Sequence, residues 1–340
     1  MSRAQYYRRI FQAYFLPGKS HLTFWHESPQ VNPVASVDAL GPYYMSFTTK
    51  ADYAGEHDAA GIPMLNYHGQ IGLQYNPIAI AQWGLANYNL YRRPQGGELE
   101  IHRNKRKARF LAAGNWLCDH LEQNLQGVWV WNHYFDWEYR SRLRAPWYSA
   151  LAQGQGISLL VRAHRETGEP KYLEAAERAF TSFRKSTAEG GVAFTDSRGD
   201  IWFEEYVVNP PTHILNGFIW AAWGVYDYFL ATGSGVAREL FGAATHTLRV
   251  NLERYDLGFW SLYEQTGYEQ TGDDRSRTLL PMVASPFYHR LHIVQLRVMY
   301  AITGDEAFAR CADKWKAYAC SPAKRTRAVC YKSAFKLCYY

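Results

Sequence analysis

Apolar residues fall at helical spacing along most of the chain, and the pattern starts abruptly. In "NPIAIAQWGLANYNLYRR" (Asn76 to Arg93), Ile80, Trp83, Leu85 and Tyr88 recur at roughly helical intervals, Asn76 is placed to cap, and Pro77 suits a first turn. After Lys107 the pattern predicts helices over 108–125, 147–167, 170–186, 213–232, 235–252, 286–303 and 305–319. Three junctions look alike: "HRETGEPKYLEAAERAF", "FLATGSGVARELFGAA" and "YAITGDEAFARCADKW" each close one helix on Thr-Gly and open another within a few residues. Glycine is favoured just past a helix C-terminus, and Asp, Glu or Ser can cap the next start. The Thr-Gly pairs begin at 167, 232 and 303, which marks a long repeat of helical hairpins.

In each hairpin the first helix is the more apolar and the second the more charged. Helices buried all round therefore alternate with helices that have a wet face. An inner and an outer ring produce that alternation, so the expected fold is mainly α, an (α/α) toroid (an incomplete α/α barrel) with a short irregular or β N-terminal region. "PYYMSFTTKADY" (Pro42 to Tyr53) reads as one or two short strands or an extended arm. The expected organisation is an N-terminal arm with short strands and the first helix over 1–107, a toroid over 108–320, and a disordered basic tail over 321–340. In a toroid, the segments preceding the inner helices gather at one mouth. Here they are "FDWEYRSRLRAPWYSALAQGQG", "DIWFEEYVVNPPTHILNGF" and "MVASPFYHRLHIVQL", which hold most of the polar and aromatic residues of interest.

Composition sharpens this picture. Aromatics make up 16% of 340 residues, with 26 Tyr and 12 Trp. Such side chains fill cores, and they also line sugar-binding clefts, stacking on sugar faces while phenol and indole groups hydrogen-bond hydroxyls. The net charge of +6 is concentrated in "HRNKRKARF" and "KRTRAVCYKSAFK", and basic runs of this kind attract polyanions. With no zinc knuckle, RNP motif or helix-turn-helix signature, nucleic acid is disfavoured. Cys118, Cys311, Cys320, Cys330 and Cys338 are odd in number and lack CxxC spacing, so they form no disulfide framework or metal site. No signal-peptide core and no run of 18 apolar residues occurs. The expectation is a soluble chain without a membrane anchor, its compartment open and compatible with the cytoplasm, and compatible with a homodimer.

Candidate chemistry lies in a few stretches. In "SPFYHRLHIVQL", His289, His292 and Gln295 share one helix face. Two His at this spacing could hold a metal, but no HExxH-type partner accompanies them. Polar groups facing a cavity are the better reading, with satisfied core histidines as the alternative. In "WYSALAQGQG", Tyr148, Gln153 and Gln155 either face a ligand or pack an inner ring. "WFEEY" and "LYEQTG" set carboxylates beside phenols. A phenol with its ordinary pKa of about 10 acts as a base only where its surroundings lower that value.

Four ordered blocks, "WYSALAQGQGISLLVRA", "WFEEYVVNPPTHILNGF", "LYEQTG" and "YHRLHIVQLRVMYAITGD", resemble the C-terminal catalytic domain of the D-glucuronyl C5-epimerases, which act on heparan sulfate precursors. "YNPIAIAQWGLANYN" is similar to an earlier element of that family. The resemblance covers roughly residues 63–92 and 110–319. It implies an (α/α) toroid that inverts C5 of D-glucuronate to L-iduronate in a heparosan-like acidic polysaccharide, with no cofactor and no metal. It places catalysis on Glu205, Tyr206, Tyr263 and Tyr288, and substrate contacts on Tyr148, Gln153, Gln155, Asn216, His289, Arg290, His292 and Gln295. Tyr206 with Glu205 is expected on one face of the sugar and Tyr288 on the other. The sequence departs from the family in three places. Animal enzymes follow the tyrosine at 263 with Asp-Leu-Arg, where this chain has Glu264, Gln265 and Thr266. Carboxylate recognition then falls to Arg275, Arg277 or Arg290. The β-sandwich that animal enzymes insert after the earlier element is replaced by a short basic connector from Tyr91 to Arg109. The residues beyond Cys320 have no counterpart in the resemblance. A uronate lyase would share the first proton abstraction, and a non-catalytic polysaccharide-binding protein would share the surface. Chain cleavage distinguishes the first and a lack of C5 exchange the second.

Overall fold

The computed structural model describes residues 24–93, 100–139, 142–265 and 280–339. The chain divides into two compact units. The larger comprises Asn32–Pro211 and Gly217–Thr247; the smaller comprises Thr212–Asn216, Leu248–Tyr340 and the described residues up to Val31. Arg275 and Arg277 lie outside the described residues.

The larger unit begins with helices α1 (Pro77–Tyr91) and α2 (Glu100–Asp119), packed against each other. The Asn76 side chain accepts the Ile78 and Ala79 amides, and α1 is buried from Pro77 to Leu90. α2 buries only the stripe Phe110, Ala113, Gly114, Trp116 and Leu117. The pattern repeats in α3 (Ala150–Thr167), capped by Ser149 and buried from Ala150 to Ala163, and α4 (Pro170–Phe180), which buries one face. Buried helices thus alternate with half-wet partners, the layering of the α/α class. Among the described residues, four two-stranded antiparallel pairs decorate this unit: β1–β2 (Leu65–Asn66, Leu73–Gln74), β3–β4 (Glu122–Gln123, Trp129–Val130), β5–β6 (Trp137–Glu138, Arg142–Leu143) and β7–β8 (Ala193–Thr195, Ile201–Phe203). Residues 42–53 form no strand; Lys50–Asp52 is a 3₁₀ turn instead.

Helix α5 (Leu215–Thr232) meets α3 almost backbone to backbone. A Cβ on Gly154 would lie 2.6 Å from Ala221 Cα and 2.8 Å from the Trp220 carbonyl, so only glycine permits the approach. The same two helices share a fully buried ion pair: Arg162 Nη1 lies 2.6 Å from Asp227 Oδ2. Tyr44 donates to Asp227 Oδ1 at 2.7 Å, and Arg162 Nε donates to the Gly41 carbonyl at 2.8 Å, which ties the 41–44 segment to the core. Breaking one side of such a pair costs about 3–5 kcal/mol.

In the smaller unit, α7 (Pro286–Thr303) follows a Ser285 cap and packs on α8 (Glu306–Cys320), capped by Asp305. α6 (Gly235–Asn251) precedes them in the chain. The three Thr-Gly junctions are built identically. Thr167, Thr232 and Thr303 each donate to the carbonyl four residues back, at 2.8, 2.7 and 2.7 Å. Each hydroxyl also accepts the amide two residues on, at 3.2 Å. The glycines at 168, 233 and 304 hold φ of 72°, 70° and 69°, a conformation that other residues resist.

The expected disordered tail is corrected here. Pro322–Tyr339 forms a ninth described helix, α9, which packs on α8 with Ala328 and Phe335 buried. The basic run hides an apolar stripe at helical spacing, and burial of that stripe orders the segment.

Candidate active site

In the smaller unit, residues 260–265 cross between two extended segments. The Tyr263 amide donates to the Met282 carbonyl at 2.8 Å, and its own carbonyl accepts the Leu215 amide at 3.1 Å. Gln265 N donates to Thr212 O at 2.9 Å, and Leu262 bridges Val283. Tyr263 is therefore pinned on both sides. Its half-buried ring meets the half-buried ring of Tyr288, from the first turn of α7, with centroids 4.8 Å apart and planes at 60°. The sequence-expected residues Tyr263 and Tyr288 are thus brought into contact. The Asn216 backbone carbonyl accepts Gln295 Nε2 at 2.9 Å.

His289 and His292 lie deeper, with no exposed surface. His289 stacks on Trp260 at 3.8 Å, and its Nε2 lies 3.0 Å from the Trp315 carbonyl. A carbonyl only accepts, so Nε2 carries the proton and Nδ1 receives from Ser261, whose amide and hydroxyl lie at 3.2 and 2.8 Å. The Ser261 hydroxyl also meets His292 Nδ1 at 3.0 Å. Burial pulls His289 down to about 3, and burial followed by the neighbouring His289 pulls His292 well below its ordinary value, so both rings are neutral. Arg290 is exposed and stands two residues from Tyr288, on a different side of the helix.

In the larger unit, Glu204 and Glu205 are 1% and 5% exposed. The Glu204 backbone joins Val192 O and Ala150 N, at 2.9 and 3.0 Å, which fixes the segment between β8 and α3. The Glu205 side chain lies against the first turn of α5: a Cβ on Gly217 would come within 2.6 Å of Glu205 Cβ and 2.8 Å of its Cδ. Helix first turns favour carboxylates. Tyr206 is half-buried on an aromatic floor, with ring centroids 4.7 Å from Tyr139 and 5.6 Å from Trp147. Tyr148 is half-buried; burial raises its phenol, opposed by a hydrogen bond with Asn124.

Gln153, Gln155, His289, His292 and Gln295 are all fully buried. Gln153 accepts the Trp131 amide at 3.0 Å and donates to Trp129 O and Ser182 Oγ, both at 3.1 Å. Gln155 accepts from Gln82 at 2.9 Å. Ser261, which organises both histidines, is missed from sequence because a lone serine carries no spacing signal. Among the described residues, no three His, Cys, Asp or Glu side chains converge as a metal site would require.

Residues 123–317, which include Glu205, Tyr206, Tyr263 and Tyr288, match the D-glucuronyl C5-epimerase C-terminus. The chain belongs to that family. This C5-epimerase-family chain is 32% identical over 244 residues to the D-glucuronyl C5-epimerase of Caenorhabditis elegans, a match covering 66% of the chain and 38% of that enzyme. The chain thus spans well under half the length of that relative. It is 27% identical over 227 residues to an uncharacterized protein of Methanocaldococcus jannaschii, covering 62% of the chain and 68% of the relative. Two solved structures are similar over part of their length. The cellobiose 2-epimerase of Spirochaeta thermophila has a TM-score of 0.44 at 14% identity, covering 70% of this chain and 57% of that one. The unsaturated glucuronyl hydrolase of Bacillus sp. GL1 has 0.42 at 15%, covering 71% and 60%. No helix among the described residues is long and apolar enough to cross a membrane.

Proposed function

We propose that this chain is a uronate C5-epimerase acting on a heparosan-like acidic polysaccharide, converting D-glucuronate to L-iduronate within the polymer. The observation that carries the reading is the contact between Tyr263 and Tyr288, two half-buried phenols held by backbone hydrogen bonds and a helix cap inside the family-matched region.

The C5 hydrogen is α to a carboxylate, and its removal builds a second negative charge on the resulting enolate. A base must take the proton, donors must face the oxygen that gains charge, and an acid must return a proton from the opposite side. One proton leaves and one returns, so the balance requires no oxidant or reductant. Two phenols 4.8 Å apart leave no room for a sugar between them, so Tyr263 and Tyr288 serve one side of C5. Inversion then requires a further group, and the resemblance to the family suggests Tyr206 with Glu205 for that role. Tyr206 presents a phenol on a rigid aromatic floor, and Glu205 supplies an adjacent carboxylate.

Incubation with heparosan in D₂O tests this. Deuterium at C5 together with iduronate signals supports the epimerase. Ultraviolet absorbance from an unsaturated uronate would replace it with a lyase, and binding without exchange with a carbohydrate-binding protein.

A further inference from the structure

Helix α9 lies beyond the family-matched region, yet it docks against the same loop that carries Tyr263. Lys324 Nζ donates to Gly258 O at 3.1 Å and sits 3.8 Å from the centre of the Tyr318 ring. The Arg327 guanidinium lies 4.2 Å from the Phe259 ring centre, and Tyr331 packs 5.8 Å from the same ring. Farther along, Lys332 Nζ donates to the Val283 carbonyl at 2.8 Å. Val283 bridges Leu262, and its neighbour Met282 accepts the Tyr263 amide. One peptide unit thus separates the lysine's anchor from the carbonyl that holds the candidate catalytic tyrosine. On that loop, Glu264 adjoins Tyr263 and is 1% exposed.

We propose that Lys332 is a positioning residue of the Tyr263–Tyr288 centre: α9 delivers its ammonium to fix the 282–284 segment against the Tyr263 loop and to set the local charge beside Glu264. A carboxylate next to a phenol disfavours phenolate, and a cation held at the same place offsets it. Lysine suits this role because its compact charge reaches a carbonyl on a long apolar stem whose helix face is already buried.

Among the described residues, the charged groups facing the ammonium are Lys336 from its own helix and Glu264 from the loop. Burial, then Lys336, pulls Lys332 down to about 8 and Glu264 pulls it back up. The charge is present below that value and lost above it, so its effect on the centre fades as pH rises through about 8.

The inference rests on the proposed role of Tyr263, and its test carries a readout independent of activity. Lys332→Met and Lys332→Arg are compared with the unaltered chain by amide hydrogen exchange and by C5 exchange on heparosan. Lys332→Met is expected to speed exchange at the Tyr263 and Lys332-facing amides ~10-fold, and to lower kcat ~10-fold with KM within about twofold. It should also remove an alkaline limb near pH 8, and Lys332→Arg should recover protection. In the unaltered chain, protection of the Tyr263 amide should weaken as pH rises through about 8, a reading that needs no variant. Unchanged protection in Lys332→Met, or in the unaltered chain across that pH range, overturns the proposal. An inactive but normally protected wild type would sink the epimerase reading and leave the amide data to decide this one.

Discussion

The rings of Tyr263 and Tyr288 touch, with 4.8 Å between centroids and 60° between planes. Phenylalanine preserves that contact while removing one hydroxyl. Tyr263→Phe and Tyr288→Phe should therefore fold normally, and at least one should lower C5 exchange by roughly 10²–10⁴-fold, the contribution of a positioned acid or base. Full exchange in both variants would exclude the pair from proton transfer.

Ser261 joins two buried neutral imidazoles. Removing its hydroxyl strands His292 Nδ1 and leaves His289 Nδ1 only the amide at 261, at a cost of about 1–3 kcal/mol. Ser261→Ala should shift the urea midpoint accordingly and slow the reaction through displaced α7 rather than lost chemistry. A variant as stable as the parent would show that the cluster contributes nothing to the loop.

Gly217 is required by Glu205, not by backbone conformation. A methyl there must push the carboxylate away or force α5 to move, and overpacking of this kind costs about 1–3 kcal/mol. In a double-mutant cycle, Glu205→Gly, which removes both the carboxylate and the Cβ that the new methyl would meet, should offset part of the stability lost in Gly217→Ala while leaving C5 exchange abolished. Additive stability changes would mean that the two sites do not meet.

Burial lowers His133 to about 3, only partly opposed by the Trp147 carbonyl, and His289 to a similar value. Both folded values lie below the ordinary 6.5, so the stabilisation is complete above pH 6.5 and declines as pH falls toward 3. Each histidine contributes a slope of about 1.4 kcal/mol per pH unit in that window. His133→Phe, which keeps a ring stacked on Trp147, should give a shallower loss between pH 7 and 5 in urea melts; an unchanged slope would place the proton uptake elsewhere.

The helical hairpins were legible because threonine and glycine do local work at each junction, whatever the surrounding packing. Boundaries were less so. α2 starts at Glu100 rather than 108 because Arg and Lys are good helix formers whose charges occupy a wet face. α3 starts at Ala150 rather than 147 because Ser149 caps it and Trp147 is paired with His133 across a bridge. Tyr263 and Tyr288 came from resemblance and the structure joined them. Gln153 and His289 stayed ambiguous because a polar residue on an apolar helix looks the same in sequence whether it meets a ligand or a buried carbonyl. α9 was hidden by its own charge: Ala328, Tyr331 and Phe335 carry the stripe, but lysines and arginines dominate its composition.

The proposed reaction is inversion at C5 by proton exchange. The direct measurement is NMR of heparosan incubated with the chain in D₂O. The account predicts loss of the C5 proton signal, new iduronate resonances and an unchanged chain length. Retention of that proton under conditions where the polymer binds would contradict it.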